Sequence, residues 1–234
     1  MAWSSPGGGP RWARACRWVL LVGAVLPGAG WSRARAADIE TRDFNVYISG
    51  KYGGEAHITI QRQDDGVTKV RCDTDIHFKP LPLVKYRYTY RGQEVWKDGR
   101  LVRLDSSCND DGKNYVVSAV ADTNGVRVRV NNQPERMTRP EVWLTSYWSL
   151  PDKGLRGQAL PLLDVDTGQD LQGRLQDLGA EQRTVAGQLQ NVHHYRVVST
   201  LQVDVWYDAA ERLVRQEWTE DGKRVVVDLA RVRR

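Results

Sequence analysis

The sequence has none of the short motifs that mark the most common enzyme classes. It contains no G-x-S-x-G, no P-loop and no G-x-G-x-x-G segment, which counts against a serine-hydrolase elbow, a nucleotide phosphate loop and a dinucleotide fold. Other enzyme classes stay open, because many active sites carry no local motif. We therefore predict no catalytic residue and no cofactor, and we favour a non-enzymatic role.

Residues spaced as metal ligands are also lacking. The four histidines are His57, His77, His193 and His194, and the adjacent pair would point to opposite faces of a strand, where they cannot share a metal. Residues 164–175 resemble a calcium loop, but Leu175 stands where that loop needs its terminal acid. No metal site is predicted.

Cysteine is scarce, with three in the chain. Cys16 precedes an apolar segment, whereas a lipid-modified cysteine would follow one, so no lipoprotein anchor is predicted. Cys72 and Cys108 lie on apolar strand faces with nothing there to activate a thiolate. A disulfide between them suits an exported protein, but a strand separates them in a simple meander, placing them ~9–10 Å apart, beyond the ~7 Å reach of a disulfide. Either both thiols stay reduced and buried, or the sheet bends sharply between them.

The chain has no apolar run long enough to span a bilayer as a helix. Residues 19–26 form an eight-residue apolar core that follows Arg11, Arg14 and Arg17 and precedes Ala34-Arg35-Ala36. This order is typical of a signal peptide. We predict that residues 1–36 are removed near Ala36, leaving a periplasmic or secreted protein with no stable membrane span. The alternative is an uncleaved anchor helix.

The mature chain lacks an excess of charge of either sign. Of 34 Lys and Arg residues, five are arginines within residues 1–36, where no acid occurs, and the remaining 29 equal the 29 Asp and Glu residues. Nucleic-acid binding needs a basic field or stripe. No nucleic-acid partner is predicted.

Tight-turn pairs are abundant between segments that alternate apolar and polar residues. These pairs supply the positive φ of a two-residue hairpin; they are Asp65-Gly66, Asp98-Gly99, Asp111-Gly112, Asn124-Gly125 and Asp221-Gly222. We place a further hairpin turn at Gly53-Gly54. Residues 37–234 are therefore predicted to form a single antiparallel β domain in which most strands have one apolar face.

One segment breaks the alternation. Thr138-Arg139-Pro140-Glu141 matches a helix capping box, and the apolar residues after it would leave a helix almost no polar side. We predict a buried helix near residues 141–150. Trp143, Tyr147 and Trp148 would then be a core plug or an aromatic wall of a ligand cavity.

The predicted fold class is mainly β, with a strongly curled antiparallel sheet. A dozen strands present apolar faces that one short helix cannot cover, so the sheet must curl into a barrel or half-barrel. Trp206 is an exception to the alternation, because it falls on the polar side of its strand with Asp204 and Asp208. It either packs under arginine stems or contacts a ligand or partner.

Several segments carry a resemblance to a known family. They include residues 83–88, 94–102, 147–148, 163–168 and 205–208. Through them the chain resembles an uncharacterised family of exported bacterial proteins, the domain of unknown function numbered 6134. That family implies a shape similar to other curled-sheet exported proteins, including the periplasmic lipoprotein carrier, and assigns no catalytic residue.

Three functional hypotheses remain at this stage. The first is an envelope binding or carrier module for an apolar or lipid-like ligand, with Trp143, Tyr147, Trp148 and Trp206 as candidate contacts. The second is an envelope hydrolase whose site residues are scattered in the sequence. The third is an outer-membrane barrel, which would require a continuous lipid-facing band with aromatic girdles. Neither ligand identity nor oligomeric state follows from the sequence.

Overall fold

The structure is a computed structural model that describes residues 38–81 and 84–234, so the predicted signal peptide lies outside the described residues. Fifteen strands form one sheet. They are β1 (Asp38–Ile48), β2 (Lys51–Arg62), β3 (Val67–Leu81), β4 (Val84–Lys97), β5 (Arg100–Asp110), β6 (Lys113–Asp122), β7 (Gly125–Val130), β8 (Arg136–Thr138), β9 (Trp143–Leu144), β10 (Ala159–Leu163), β11 (Asp170–Val185), β12 (Gln188–Val198), β13 (Gln202–Asp208), β14 (Leu213–Glu220) and β15 (Lys223–Arg233).

Three of the five predicted hairpin pairs form two-residue turns. At Asp98-Gly99, Asp111-Gly112 and Asp221-Gly222 both residues have positive φ, between 47° and 96°, as a type I′ turn requires. The first hairpin differs from the prediction. It turns at Ser49-Gly50, whose φ values are 48° and 79°, and Gly53-Gly54 lies inside β2.

The glycine at position 54 has a steric role instead. Gly54 has a φ of 157° and pairs with Ile76 of β3, and a Cβ there would collide with the carbonyl oxygen of Asp75. The turn prediction was wrong because a Gly-Gly pair can mark either a tight turn or a close approach of two strands, and the sequence does not distinguish the two.

The sheet is strongly curled but open. Its order runs β8-β7-β6-β5-β4-β3-β2-β1-β15-β14-β13-β12-β11-β10-β9, so β8 and β9 are the two edges. Only residues 139–142 connect these edges, a span of at most about 18 Å. Arg136 of β8 also donates to the carbonyl oxygen of Gly168 and lies 3.3 Å from Asp170 at the start of β11. The prediction of a curled sheet is confirmed, and its hydrogen-bonding pattern does not close into a barrel.

The predicted helix near residues 141–150 is wrong. Within the described residues the only helical turn is a 3₁₀ turn at Lys153–Leu155. Trp143 and Leu144 form the short strand β9, which pairs in parallel with Leu162 and Leu163 of β10. Tyr147 has a φ of 49°, which no α-helix permits. A short apolar run fits a buried strand as well as a buried helix. In this protein β10 supplies the backbone hydrogen bonds that make Trp143 and Leu144 a strand.

One face of the curled sheet encloses the core. The largest buried cluster includes Leu104, Val197 and Val205, each with no exposed area, from β5, β12 and β13. We call the end of the sheet where β1, β5, β10 and β14 finish the mouth end, and the end where β1 begins the base end. No helix in the part of the chain that the structure describes is long and apolar enough to cross a membrane.

Candidate functional site: an internal cavity

A cavity of about 450 Å³ lies inside the curl, towards the mouth end. Its apolar wall comes from alternating residues of neighbouring strands, since strand side chains point to one face at every second position. These residues include Phe44, Val46, Ile48, Ala56, Ile58, Ile76, Val203, Val225 and Val227. The cavity therefore has an aliphatic surface on the neighbouring strands β3, β2, β1 and β15, and Val203 of β13 is separated from it by β14.

A row of tyrosines from β4 forms another part of the wall. Tyr86, Tyr88 and Tyr90 all line the cavity. The hydroxyl of Tyr86 donates to Oδ1 of Asp110 at 2.9 Å, and that of Tyr88 donates to Oδ2 of Asp166 at 2.9 Å. Burial, with the adjacent carboxylate, raises the pKa of each of these two phenols. Both phenols are therefore fixed as hydrogen-bond donors to carboxylates.

The loop between β10 and β11, residues 164–169, positions Asp166 in the cavity. Oδ1 of Asp164 accepts from the Asp166 amide at 3.1 Å, which turns the chain locally. Ser106 of β5 donates to the carbonyl oxygen of Val165 at 2.6 Å. These bonds hold the loop against β4 and β5, so the Asp166 carboxylate is held in a fixed place.

The environment of Asp166 disfavours its charged form. Burial raises the pKa of this carboxyl to about 7, with further contributions from the negative charges of Asp164, Asp110 and Glu220, while the Tyr88 hydrogen bond opposes the shift. A carboxyl with this pKa is half protonated at neutral pH. The cavity thus contains one acid that changes charge in the physiological range.

The base end holds a second buried polar group, separate from the cavity. Arg42 is 1% exposed; its Nε lies 2.7 Å from Oε1 of Glu40, and its Nη1 donates to the carbonyl oxygen of Trp148 at 2.9 Å. Oε2 of Glu94 accepts from the indole nitrogens of Trp96 and Trp148 at 2.7 and 2.8 Å. Burial raises the pKa of Glu94. These groups tie the segment after β9 to β1 and β4.

The pattern of a family described as a domain of unknown function, DUF6134, matches residues 44–230. The chain belongs to this family. The match covers every strand that lines the cavity, and it confirms the resemblance inferred from the sequence.

A solved structure shares the fold of this DUF6134 chain. The crystal structure of a beta-barrel-like protein of the domain of unknown function DUF1849 from Brucella abortus aligns with a TM-score of 0.60. The alignment covers 85% of this chain and 98% of that chain, at 8% sequence identity. At this identity the likeness shows the fold alone. No curated protein matches the sequence.

The DUF6134 chain places the predicted aromatic contacts in different environments. Tyr147 lines the cavity. Trp143 packs edge-on against Tyr147, with 4.9 Å between ring centroids, and donates to the carbonyl oxygen of Ser149 at 3.0 Å. Trp148 packs at the base end against Trp96, at 6.1 Å. The sequence thus identified a buried aromatic segment, and Tyr147 is the one aromatic residue predicted there that reaches the cavity wall.

Trp206 lies away from the cavity and is 3% exposed. Its ring stacks on His194 at 4.2 Å, with the Arg183 guanidinium 4.4 Å from its centroid, and its indole nitrogen donates to Glu181 at 2.6 Å. This is the packing under polar side chains that the sequence offered as one of two alternatives. A ligand-binding role for Trp206 stays a prediction that the structure does not test.

Cys72 and Cys108 are buried free thiols that both line the cavity. Strand β4 separates them, since Cys72 pairs with Gly92 and Cys108 with Tyr90. The structure thus has no disulfide here and agrees with the first of the two alternatives. Burial raises the pKa of Cys108 to about 12 and that of Cys72 well above its ordinary value. Both remain protonated and act as small apolar wall residues.

The carboxylates of the cavity are what sequence reasoning missed. Asp110 ends β5, Asp166 follows β10 and Glu220 ends β14, and no local motif connects them. The alternation of strand direction could not have found them, because the parallel pair of β9 and β10 reverses that alternation and so brings the ends of β5 and β14 to the same end of the sheet. Within the described ranges, no group of three or more His, Cys, Asp or Glu residues could hold a metal ion.

Proposed function

We propose that this protein is a binding or carrier module that holds an apolar or lipid-like ligand in its internal cavity. One observation carries the proposal: the cavity of about 450 Å³ has a wall in which aliphatic and aromatic residues outnumber polar ones. Small-molecule sites typically measure ~300–1,000 Å³ and have this composition. The curled-sheet fold supports the idea only by analogy.

Hydrolase chemistry receives no comparable support. In residues 38–81 and 84–234, three of the four histidine rings hydrogen-bond to Asp43, Asp177 and Asp204, and no histidine bonds a hydroxyl or a thiol. Burial raises the pKa of both thiols. A nucleophile needs an adjacent base or a lowered pKa. The binding role is therefore better supported than the hydrolase role.

Blocking the cavity should abolish ligand uptake. Thr74 lines the cavity on β3, and we expect Thr74→Trp to weaken binding of the fluorescent probe N-phenyl-1-naphthylamine at least tenfold, because the indole fills the space that the probe needs. Probe fluorescence during titration measures the affinity. Native mass spectrometry of the purified wild type would also show any co-purified lipid.

The matched control is Thr89→Trp. Thr89 is part-buried on β4 and alternates with Tyr88 and Tyr90, so it points away from the cavity. The Thr89→Trp variant should bind the probe with the affinity of the wild type. Unchanged binding in a folded Thr74→Trp variant, checked by circular dichroism, would rule the cavity out as the binding site.

We also propose that the protein acts outside the cytoplasm, in the periplasm or as a secreted protein. The support is the order of basic residues, apolar core and Ala34-Arg35-Ala36 in residues 1–36. Amino-terminal sequencing of the protein from the envelope fraction is expected to begin at Ala37. A chain that begins at Met1 and sediments with membranes would contradict this proposal.

A further inference from the structure

The size of the cavity limits its occupant to one chain. Its volume is about 450 Å³, and a water-sized unit occupies ~30 Å³ in the liquid. About fifteen such units fit, which is comparable with the number of carbon atoms in one alkyl chain of ordinary length. The cavity therefore suits one chain better than two chains side by side.

The charges on the wall have one dominant sign. Four carboxylates, those of Asp110, Asp164, Asp166 and Glu220, line the cavity, while Lys113 and His57 are the basic residues of the lining. His57 is already paired, with its Nδ1 2.8 Å from Oδ1 of Asp43. Among the described residues no ion pair within 4.0 Å includes any of the four carboxylates. Elsewhere the sheet pairs its acids with arginine, as in Arg71–Asp73 and Arg103–Asp105.

Hydrogen-bonding capacity is also left over in the wall. The hydroxyls of Tyr90 and Ser146, two lining residues, are buried and have no hydrogen-bond partner in the described part of the chain. Tyr90 is only 4% exposed. Buried polar groups of a folded protein are normally satisfied. The Tyr90 hydroxyl lies over Gly92, near Ser106, and the Ser146 hydroxyl lies beside Glu94, so both lie deeper than the carboxylates and are not part of the polar group at the mouth.

The carboxylates and the deeper apolar residues occupy different parts of the cavity wall. Asp110 and Glu220 end β5 and β14 at the mouth end, and the loop that carries Asp166 lies at the same end. The deeper wall is formed by Phe44, Ile58 and other apolar residues nearer the middle of their strands. A ligand with one polar end would meet the carboxylates at the mouth with its apolar part below.

Resting on the proposed binding function, we infer that the cavity takes a single-chain amphiphile with a cationic head group, of the alkylammonium class. An ammonium group donates three hydrogen bonds and accepts none, which suits a site of carboxylates. It also offsets the negative charges of Asp164, Asp110 and Glu220, which add to burial in raising the pKa of Asp166. A carboxylate head would add to that repulsion, and its partial desolvation would have no compensation.

A competition series separates head group from chain. N-phenyl-1-naphthylamine bound to the wild-type protein is displaced with dodecylammonium, dodecanol and dodecanoate, each below its micelle concentration, and with didodecyldimethylammonium as the two-chain cation. We expect dodecylammonium to act at a concentration at least tenfold lower than dodecanoate, with dodecanol between them. Didodecyldimethylammonium should displace the probe less effectively than dodecylammonium. Added salt should reduce the preference.

Charge-removing variants test the assignment of residues. Asp110→Asn combined with Glu220→Gln keeps the size of both side chains and should bring the two single-chain ions within about threefold of each other. Asp105→Asn is the matched control, because Asp105 lies on the same strand as Asp110, outside the cavity lining, and pairs with Arg103. It should leave the preference unchanged.

The outcomes distinguish the two proposals. Equal displacement by all three single-chain competitors would overturn the cationic head group and leave the binding function intact. A cation preference that survives in the Asp110→Asn, Glu220→Gln variant would overturn the assignment of the head group to Asp110 and Glu220. If neither the probe nor any chain binds the folded wild type, the binding function and this inference both fail.

Discussion

Replacing Arg42 with alanine is expected to lower the free energy of unfolding by about 3–5 kcal/mol, the usual cost of removing one partner of a buried ion pair. Arg42 and Glu40 are 1% and 3% exposed. Burial alone would raise the pKa of Glu40, but the hydrogen bond and charge of Arg42, with Arg234 and Arg212, hold it below its ordinary value. Without Arg42 the Glu40 carboxylate loses its closest cation, and Trp148 loses the donor to its carbonyl oxygen. Urea denaturation followed by tryptophan fluorescence measures the change.

Arg71→Ala is the control for this experiment. Arg71 also pairs with an acid two residues away on its own strand, Asp73, at 2.7 Å, but its side chain is 61% exposed. Exposed pairs contribute at most about 1 kcal/mol, so the loss should stay below that value. The double change Arg42→Met with Glu40→Gln removes both charges and should recover much of the stability. Equal losses for Arg42→Ala and Arg71→Ala would show that the Arg42 pair is not buried in solution.

Asp166→Asn is expected to stabilise the protein at high pH. The pKa of Asp166 is about 7 when folded, above the ordinary value of 3.8, so the folded state binds the proton more tightly than the unfolded state. The wild type therefore loses stability as pH rises from about 4 through 7, where the carboxyl ionises inside the cavity. This shift corresponds to at most about 4 kcal/mol. Asparagine carries no charge, and its carbonyl oxygen can still accept from Tyr88.

The measurement is a set of urea denaturation curves between pH 4 and pH 8. The variant should be more stable than the wild type by about 2–4 kcal/mol at pH 8, and the difference should shrink towards zero near pH 4. Asp105→Asn, at an exposed ion pair, should give a change of less than about 1 kcal/mol. A constant difference at every pH would mean that the carboxyl does not titrate in this range, and that packing explains the effect.

Local chemistry predicted much of the fold. Pairs such as Asp98-Gly99 determine their own turn geometry, and the alternation in β4 identified the face that carries Tyr86, Tyr88 and Tyr90. The segment that contains Trp143 could not be assigned in this way, because its burial was clear from the sequence but its hydrogen-bond partner, β10, was not. Alternation also recognised Trp206 as an exception without showing which side chains cover it.

The cavity depended on information that no local segment holds. Asp110 and Glu220 are separated by more than a hundred positions in the sequence, and they share a wall only because the sheet curls. Burial in the cavity and the nearby carboxylates raise the pKa of Asp166. Neither the location nor the ionisation of Asp166 therefore follows from its neighbours in the chain. The sequence could therefore suggest a binding module but not the sign of the charge on the cavity wall.

The pairing of the first described strand with the last has a consequence for the order of folding. Strands β2 to β8 and β10 to β14 each join neighbours in the chain, so hairpins on either side can form from nearby residues. Strand β1 pairs with β15 in the middle of the sheet, and Arg233 bonds Asp43 across 190 positions. Contacts so distant in sequence form late, because closing a long loop costs entropy before any contact offsets it. The hairpins on either side of the β1–β15 pair would then form before that pair does. The cavity wall includes residues on both sides of the pair, so the cavity would be among the last features to form.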